Sequence, residues 1–236
     1  MNELGTILGV WAHPDDETYL SAGLMARAVR DGSRVVCLTA TRGEGGSMDE
    51  EKWPPETMAE VRTAELERSM EILGVTEHHW LDLPDVDMQT GLPEEGYASV
   101  RDLVADVQPD TILTFGPEGM TGHEAHKTVS GWATTALREA GKAGSRVLYA
   151  CVTPEWAEEF LPVWEPFNVF LPGTPHVVSR EELVIHYRLP PDILETKVSA
   201  INAHVSQIEG ILEAVGDEVW WREMSLEAFR LGEGTS

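Results

Sequence analysis

Two short clusters of imidazoles and carboxylates carry the chemistry of this 236-residue chain. The first is His13, Pro14, Asp15 and Asp16, directly behind the apolar run 6–12. The second is Gly122, His123, Glu124, Ala125 and His126, which follows the apolar run 111–115. A catalytic zinc ion usually takes three protein ligands from His, Asp or Glu. It keeps a fourth position for a water whose acidity it raises. His13, Asp16 and His126 make such a set. Pro14 fixes a backbone angle and cannot continue a strand, so the chain turns sharply and presents His13 and Asp16 together. Asp15, beside the metal but not ligating it, is suited to act as general base. His123 and His126 are three apart at a helix start and so share one face. His126 continues along Val129, Trp132 or Ala133, and Ala136 and is assigned the metal, which leaves His123 free to stabilise an oxyanion. Iron(II) suits the same donors as zinc. Either cluster alone has a plainer reading: Asp15 or Asp16 capping a helix, and a histidine pair packing on one. Two such clusters at strand carboxyl ends of one parallel sheet favour a shared metal site.

The elements that must position these residues alternate. Strands are expected at 6–12, 33–40, 79–83, 111–115 and 146–152, and helices at 18–30, 55–74, 97–107 and 123–140. Repeated strand-then-helix order points to an α/β fold, a Rossmann-like, mostly parallel sheet with helices on both faces. The whole of 1–236 is expected to form a single domain. Residues 43–53, rich in glycine and acids, lie where open α/β sheets place ligand loops. Residues 154–175 combine prolines with Trp156, Phe160, Trp164, Phe167 and Phe170 and read as a lid or interface insertion. An additional strand is expected at 181–189. One long helix is expected over 193–215, with a buried stripe of Val198, Ile201, Val205, Ile208, Leu212 and Val215.

Composition narrows the partners. The formal charge of −24, from 41 acidic against 17 basic side chains, repels phosphate backbones and anionic membrane surfaces. Nucleic acid and membrane are therefore excluded as expected partners. The two cysteines, Cys37 and Cys151, read as reduced thiols. Residues 1–6 lack a basic n-region, and no apolar stretch is long enough to span a bilayer, so a cytoplasmic location is expected. Trp220 and Trp221 are expected to pack or to form a homo-oligomer contact.

The ordered set Ala12-His13-Pro14-Asp15-Asp16-Glu17, Thr41-Arg42-Gly43-Glu44, Arg62 with Glu65, Leu73-Gly74 and Gly122-His123-Glu124-Ala125-His126 resembles the PIG-L/LmbE family of zinc-dependent N-deacetylases. Lys197, Ala200, His204, Ser206 and Gln207 look like the family's C-terminal signature. The resemblance implies an LmbE-like fold, zinc held at His13, Asp16 and His126, a general base at Asp15 and carbonyl polarisation by His123. It also implies substrate contacts at Arg62 and Glu44, and a small-molecule N-acetyl amino sugar conjugate as substrate. Arg42, beyond a strand end, and His204, on the side of Lys197, are further substrate-binding candidates. The plainer alternatives are a solvated Arg42 and Glu44, Arg62 paired with Glu65, and a structural His204. One departure stands out: the family commonly has Asp where this chain has Ala125, which bears on the charge of His123. An amidase of thiol conjugates and a catalytically weak sugar-binding homologue are the rival readings. Dinucleotide binding is disfavoured because the first turn lacks the Gly-x-Gly-x-x-Gly that pyrophosphate requires.

Overall fold

The computed structural model describes residues 4–233, so residues 1–3 of the opening segment lie outside the described residues. Among the described residues seven strands, β1 (Ile7–Trp11), β2 (Val35–Thr41), β3 (Glu77–Leu83), β4 (Thr111–Phe115), β5 (Arg146–Ala150), β6 (Leu183–Arg188) and β7 (Leu226–Leu231), form one sheet. Their order is β3-β2-β1-β4-β5-β7-β6. β1 to β5 run parallel, whereas β7 is antiparallel to both β5 and β6. β1, β2 and β4 are buried at every position, which is why they read as continuous apolar runs: helices cover both faces. On one side α1 (Asp16–Arg30), α2 (Pro55–Leu73) and α6 (Pro191–Ile201) pack together; α3 (Gly96–Val107) and α4 (Glu124–Ala140) pair separately against β3, β4 and β5. α2 shows why its ends were readable. Pro55 opens it, and Gly74 closes it in the left-handed conformation at φ 75°, the region glycine enters without a Cβ penalty.

Three regions depart from expectation. First, residues 154–175 are half helical: α5 (Pro154–Trp164) is followed by a short 3-10 turn, Glu165–Phe167. Trp156, Phe160 and Trp164 recur every fourth residue, a helical period that the prolines mask. Pro154 sits harmlessly in the first turn, where Thr153 caps the helix by accepting from the Trp156 N–H at 3.2 Å. Second, the expected long helix is two, α6 and α7 (Val205–Val215), broken at Asn202 to His204. The break exposes Val205 and moves the buried stripe to Ile208 and Ile211. It also frees the Ser206 N–H, which has no intrahelical acceptor at a helix start and donates to Glu65 Oε1 at 2.7 Å. Third, α8 (Asp217–Met224) and β7 were not foreseen.

α5 to α8 enclose a second apolar cluster beside the sheet, with Phe160, Trp164, Ile201, Ile208 and Trp220 at its centre. Trp220 is fully buried there, whereas Trp221 is 39% exposed. Lys197 on α6 ties this region to the sheet. Its buried Nζ donates to Glu227 Oε1 and to the Tyr19 carbonyl, both at 2.8 Å. Glu227 in turn accepts from the Gly23 and Leu24 N–H groups. Cys37 and Cys151 are both free and buried. No helix among the described residues is long and apolar enough to cross a membrane.

Candidate metal centre

β1 and β4 are neighbours in the sheet, yet the chain leaves β1 toward β2 on one side and β4 toward β5 on the other. Such a switch point opens a crevice at the strand carboxyl ends, and both clusters fall into it. His13 Nδ1 lies 3.0 Å from His126 Nε2 and 3.7 Å from Asp16 Oδ2, and His126 Nε2 lies 3.5 Å from Asp16 Oδ1. Donors held tetrahedrally by zinc at its usual bond lengths stand roughly 3.3–3.6 Å apart, so these three fit a divalent ion. His123 sits nearby as the residue that starts α4, its ring 4.7 Å from His126 and 5.7 Å from His13. A ligand atom from each of the three histidines falls within 4.8 Å of the others.

The surrounding contacts orient the donors. His126 Nδ1 lies 2.9 Å from the Gly119 carbonyl; donation there leaves Nε2 as a lone-pair donor toward the centre. Phe115 stacks on the same ring at 4.1 Å. His13 Nε2 lies 3.4 Å from Asp85 Oδ1, a carboxylate behind an imidazole of the kind that fixes metal-ligand histidines. Burial disfavours a charged His13, but the hydrogen bond to Asp85 and the charges of Asp16 and Asp85 together raise its pKa. Burial pulls His126 well below the usual imidazole range. Burial, with help from His126 and His13, pulls His123 down to about 4.

Asp15 occupies an unusual backbone position, φ 117° and ψ −30°. A non-glycine residue there costs on the order of 1–3 kcal/mol and persists only where its surroundings enforce it. They do. Its carbonyl accepts from the Thr18 and Tyr19 N–H groups at 2.9 and 3.0 Å, and its N–H donates to Glu17 Oε2 at 3.2 Å. Arg62 Nη2 donates to the Pro14 carbonyl at 2.5 Å and to Asp15 Oδ2 at 3.0 Å, while Nη1 reaches the Gly43 carbonyl at 3.1 Å. Gly43 is at φ 68°, and a Cβ on it would collide with that guanidinium. Burial raises the Asp15 carboxyl to about 6 against the opposing pull of Arg62.

The structure therefore brings His13, Asp15, Asp16, Arg62, His123 and His126 to one crevice. It does not bring Arg42, which pairs with Asp82 at 2.7 Å and lies over Trp80 at 3.9 Å. Glu44 turns aside, its Oε1 accepting from the Asp85 N–H at 3.0 Å. His204 is fully buried behind Asp15, its Nε2 3.5 Å from Glu17 Oε1, and burial lowers it to about 4. Arg62 does not pair with Glu65, because Ser206 holds both oxygens of that carboxylate. Glu124 does not stand in for the aspartate that Ala125 replaces, since it pairs outward with Lys127 at 2.7 Å. Sequence reasoning missed Asp85. Its signal was its place two residues past the end of β3, at the same sheet edge as the other clusters.

The crevice widens into a cavity of about 560 Å³, with His13, Asp15, Asp16, His123 and His126 at one end and Trp156, Trp164, Phe167 and Phe170 among the walls. Its floor includes Glu223, whose Oε1 accepts from Trp164 Nε1.

Residues 8–137 match the sequence profile of the family described as PIG-L, GlcNAc-PI de-N-acetylase. A 1D-myo-inositol 2-acetamido-2-deoxy-alpha-D-glucopyranoside deacetylase of Kineococcus radiotolerans is 36% identical over 168 residues, covering 59% of this chain and 46% of its own length. The chain thus spans about half of that relative. The like-named protein of Rhodococcus erythropolis is 27% identical over 268 residues, covering 97% and 91%. Among solved structures, the N,N'-diacetylchitobiose deacetylase of Pyrococcus horikoshii superposes with a TM-score of 0.68 at 21% identity. It covers 98% of this chain and 86% of the other. That likeness shows a shared α/β fold.

Proposed function

The chain belongs to the PIG-L family of N-deacetylases, and from that membership we propose that it is a zinc-dependent hydrolase that removes the acetyl group from an N-acetyl amino sugar conjugate. His13, Asp16 and His126 are the residues that would hold the ion; when bound there it supplies Lewis acidity to water and to the amide carbonyl. The observation that carries the reading is the 3.0–3.7 Å triangle of those donors with an unligating carboxylate, Asp15, enforced beside it.

Asp15 takes a proton from the attacking water and later delivers one to the departing amine, so that water and amide become acetate and a free amino group. Arg62 holds Asp15 Oδ2 at 3.0 Å and so fixes which oxygen faces the substrate. A neutral His123, as its lowered pKa implies, acts by donating an N–H to the carbonyl oxygen as charge builds there. That role needs no neighbouring carboxylate, so Ala125 is compatible with it. The test is release of acetate and primary amine, one of each, from N-acetylglucosamine conjugates by the zinc-loaded chain. Amine release without acetate would move the reading to another amide. Sugar binding with no release would leave a binding protein.

A further inference from the structure

The cavity's two ends differ in a way that the deacetylase reading does not use. Beyond the metal centre its walls are aromatic: Trp156 and Trp164 come from α5, Phe167 from the turn behind it and Phe170 from the segment that follows. Trp156 meets Phe170 edge-on at 6.1 Å, and Trp164 meets Phe167 edge-on at 6.1 Å. At the mouth Met48, Val86 and Met88 stand 60%, 61% and 37% exposed. Large apolar side chains in water around an opening are unusual for a site that admits only a polar sugar. The volume, about 560 Å³, lies well inside the range of roughly 300–1,000 Å³ that takes a ligand with a sizeable apolar part.

The charges exclude an anionic partner for this space. Among the described residues, Arg62 is the one Lys or Arg side chain lining the cavity. Its guanidinium is already bound to Asp15, Pro14 and Gly43. Asp85 and Asp87 also line it, so a phosphate or carboxylate would enter against negative charge with no free cation to meet it. Glu223 lines the cavity beside Trp164. Glu223 is 5% exposed, and its Oε2 is buried with no hydrogen-bond partner. A buried polar oxygen of this kind calls for a partner.

Resting on the deacetylase reading above, we propose that the substrate carries an uncharged, largely apolar group, alkyl or aryl in its bulk, that fills the aromatic end of the cavity while its amide lies at the metal centre, and that Glu223 hydrogen-bonds a hydroxyl, ether oxygen or N–H borne by that group. The group is attached either to the glycosidic oxygen, with acetate released, or to the acyl carbon, which widens the reaction from deacetylation to N-deacylation at the same metal centre; both present the same apolar chemistry to α5. Burial raises the Glu223 carboxyl to about 8, so near neutral pH it is a donor as well as an acceptor and adds no charge to repel the group.

The test compares three series on the zinc-loaded full chain: alkyl N-acetylglucosaminides of increasing chain length, N-acylglucosamines of increasing acyl length, and N-acetylglucosamine 1-phosphate. The account expects kcat/KM to rise by roughly fourfold per methylene over the first few carbons in one of the two apolar series, and the phosphate to be the poorest substrate. The series that rises identifies the point of attachment. A flat response in both, or preference for the phosphate, overturns the proposal while leaving the deacetylase reading intact. Octyl glucoside, which has no amide, separates the two claims. Its saturable quenching of tryptophan fluorescence without any amine release from the other compounds would keep the cavity inference and remove the reaction. Phe170→Ala should flatten the chain-length slope, so that kcat/KM for long-chain and short-chain substrates converges. Glu223→Leu, which removes both carboxyl oxygens at similar volume, should weaken binding of chains bearing a terminal hydroxyl more than of plain alkyl chains. An equal loss on both chain types would remove Glu223 from the proposal.

Discussion

The cavity joins two regions built by different rules. One end is made of strand-end turns, and its side chains are polar, mutually bonded and backed by a second layer: Asp85 behind His13, Gly119 behind His126, Arg62 behind Asp15. The other end is made mainly of helices α5, α7 and α8 with the segment 165–170, and its side chains are largely aromatic and aliphatic, with the unpartnered Oε2 of Glu223 among them. The first arrangement tolerates little change, because each donor must lie within a fraction of an ångström of its place to share an ion. The second tolerates exchange of shape for shape, because apolar contact is not directional. The lesson is a division of labour. On the proposals above, reaction type resides where geometry is over-determined, and substrate preference where only volume and polarity are set.

That division can be broken by variants whose effects cross over. The largest effect is expected from Asp15→Ala, which should lower kcat by roughly a hundred- to ten-thousandfold while metal content stays at the wild-type level; turnover assays with elemental analysis check both. At the other end, Glu223→Gln should act on stability through pH. The Glu223 carboxyl has a folded pKa raised to about 8 from an ordinary 4.5. The unfolded chain therefore releases that proton first, and the wild type loses stability as pH rises from about 4.5 to about 8. Gln removes the loss, so the variant should match wild type at pH 4.5 and exceed it above pH 8, by at most about 5 kcal/mol, as denaturant unfolding at both pH values would show. Lys197→Ala leaves Glu227 buried without its cation and should cost about 3–5 kcal/mol of stability, read by thermal unfolding. Its effect on metal affinity should be absent. The smallest change is expected from Asp85→Asn, which keeps the fold and weakens zinc affinity by about 10- to 100-fold, measured by competition with a chelator. Metal loss in the Lys197 variant, or unfolding in the Asp85 variant, would dissolve the distinction between the two ends.

How far each region could be read from sequence follows the same line. The strand-end clusters were legible because their residue types are chemically loud and the flanking strands, buried on both faces, are continuous apolar runs. Arg62 was legible only through the family pattern: nothing in its helix tells that Ser206 occupies Glu65 and sends the guanidinium to Asp15. Arg42 and Glu44 sat at the right strand end but turned away, since Asp82 and the Asp85 N–H offered local partners. In that motif Gly43 is the residue on which Arg62 closes. The helical region resisted reading for a different reason. Prolines at 154 and 162 hid the four-residue spacing of Trp156, Phe160 and Trp164. The continuous stripe over 193–215 concealed a break that depends on tertiary partners, Glu17 for His204 and Glu65 for Ser206. β7 went unseen because Leu226–Leu231 interleaves Glu227 and Arg230 with its apolar residues, and the partners that let Glu227 be buried, Lys197 and the Gly23 and Leu24 N–H groups, are distant in sequence.

The most direct test of the central claim is zinc stoichiometry and affinity, by calorimetry and elemental analysis, for wild type beside His13→Ala, Asp16→Ala, His126→Ala and Asp15→Ala. The account predicts one ion per chain in wild type and in the Asp15 variant, and loss of tight binding in each of the other three. Tight binding that survives replacement of His126, or that disappears with Asp15, would contradict it.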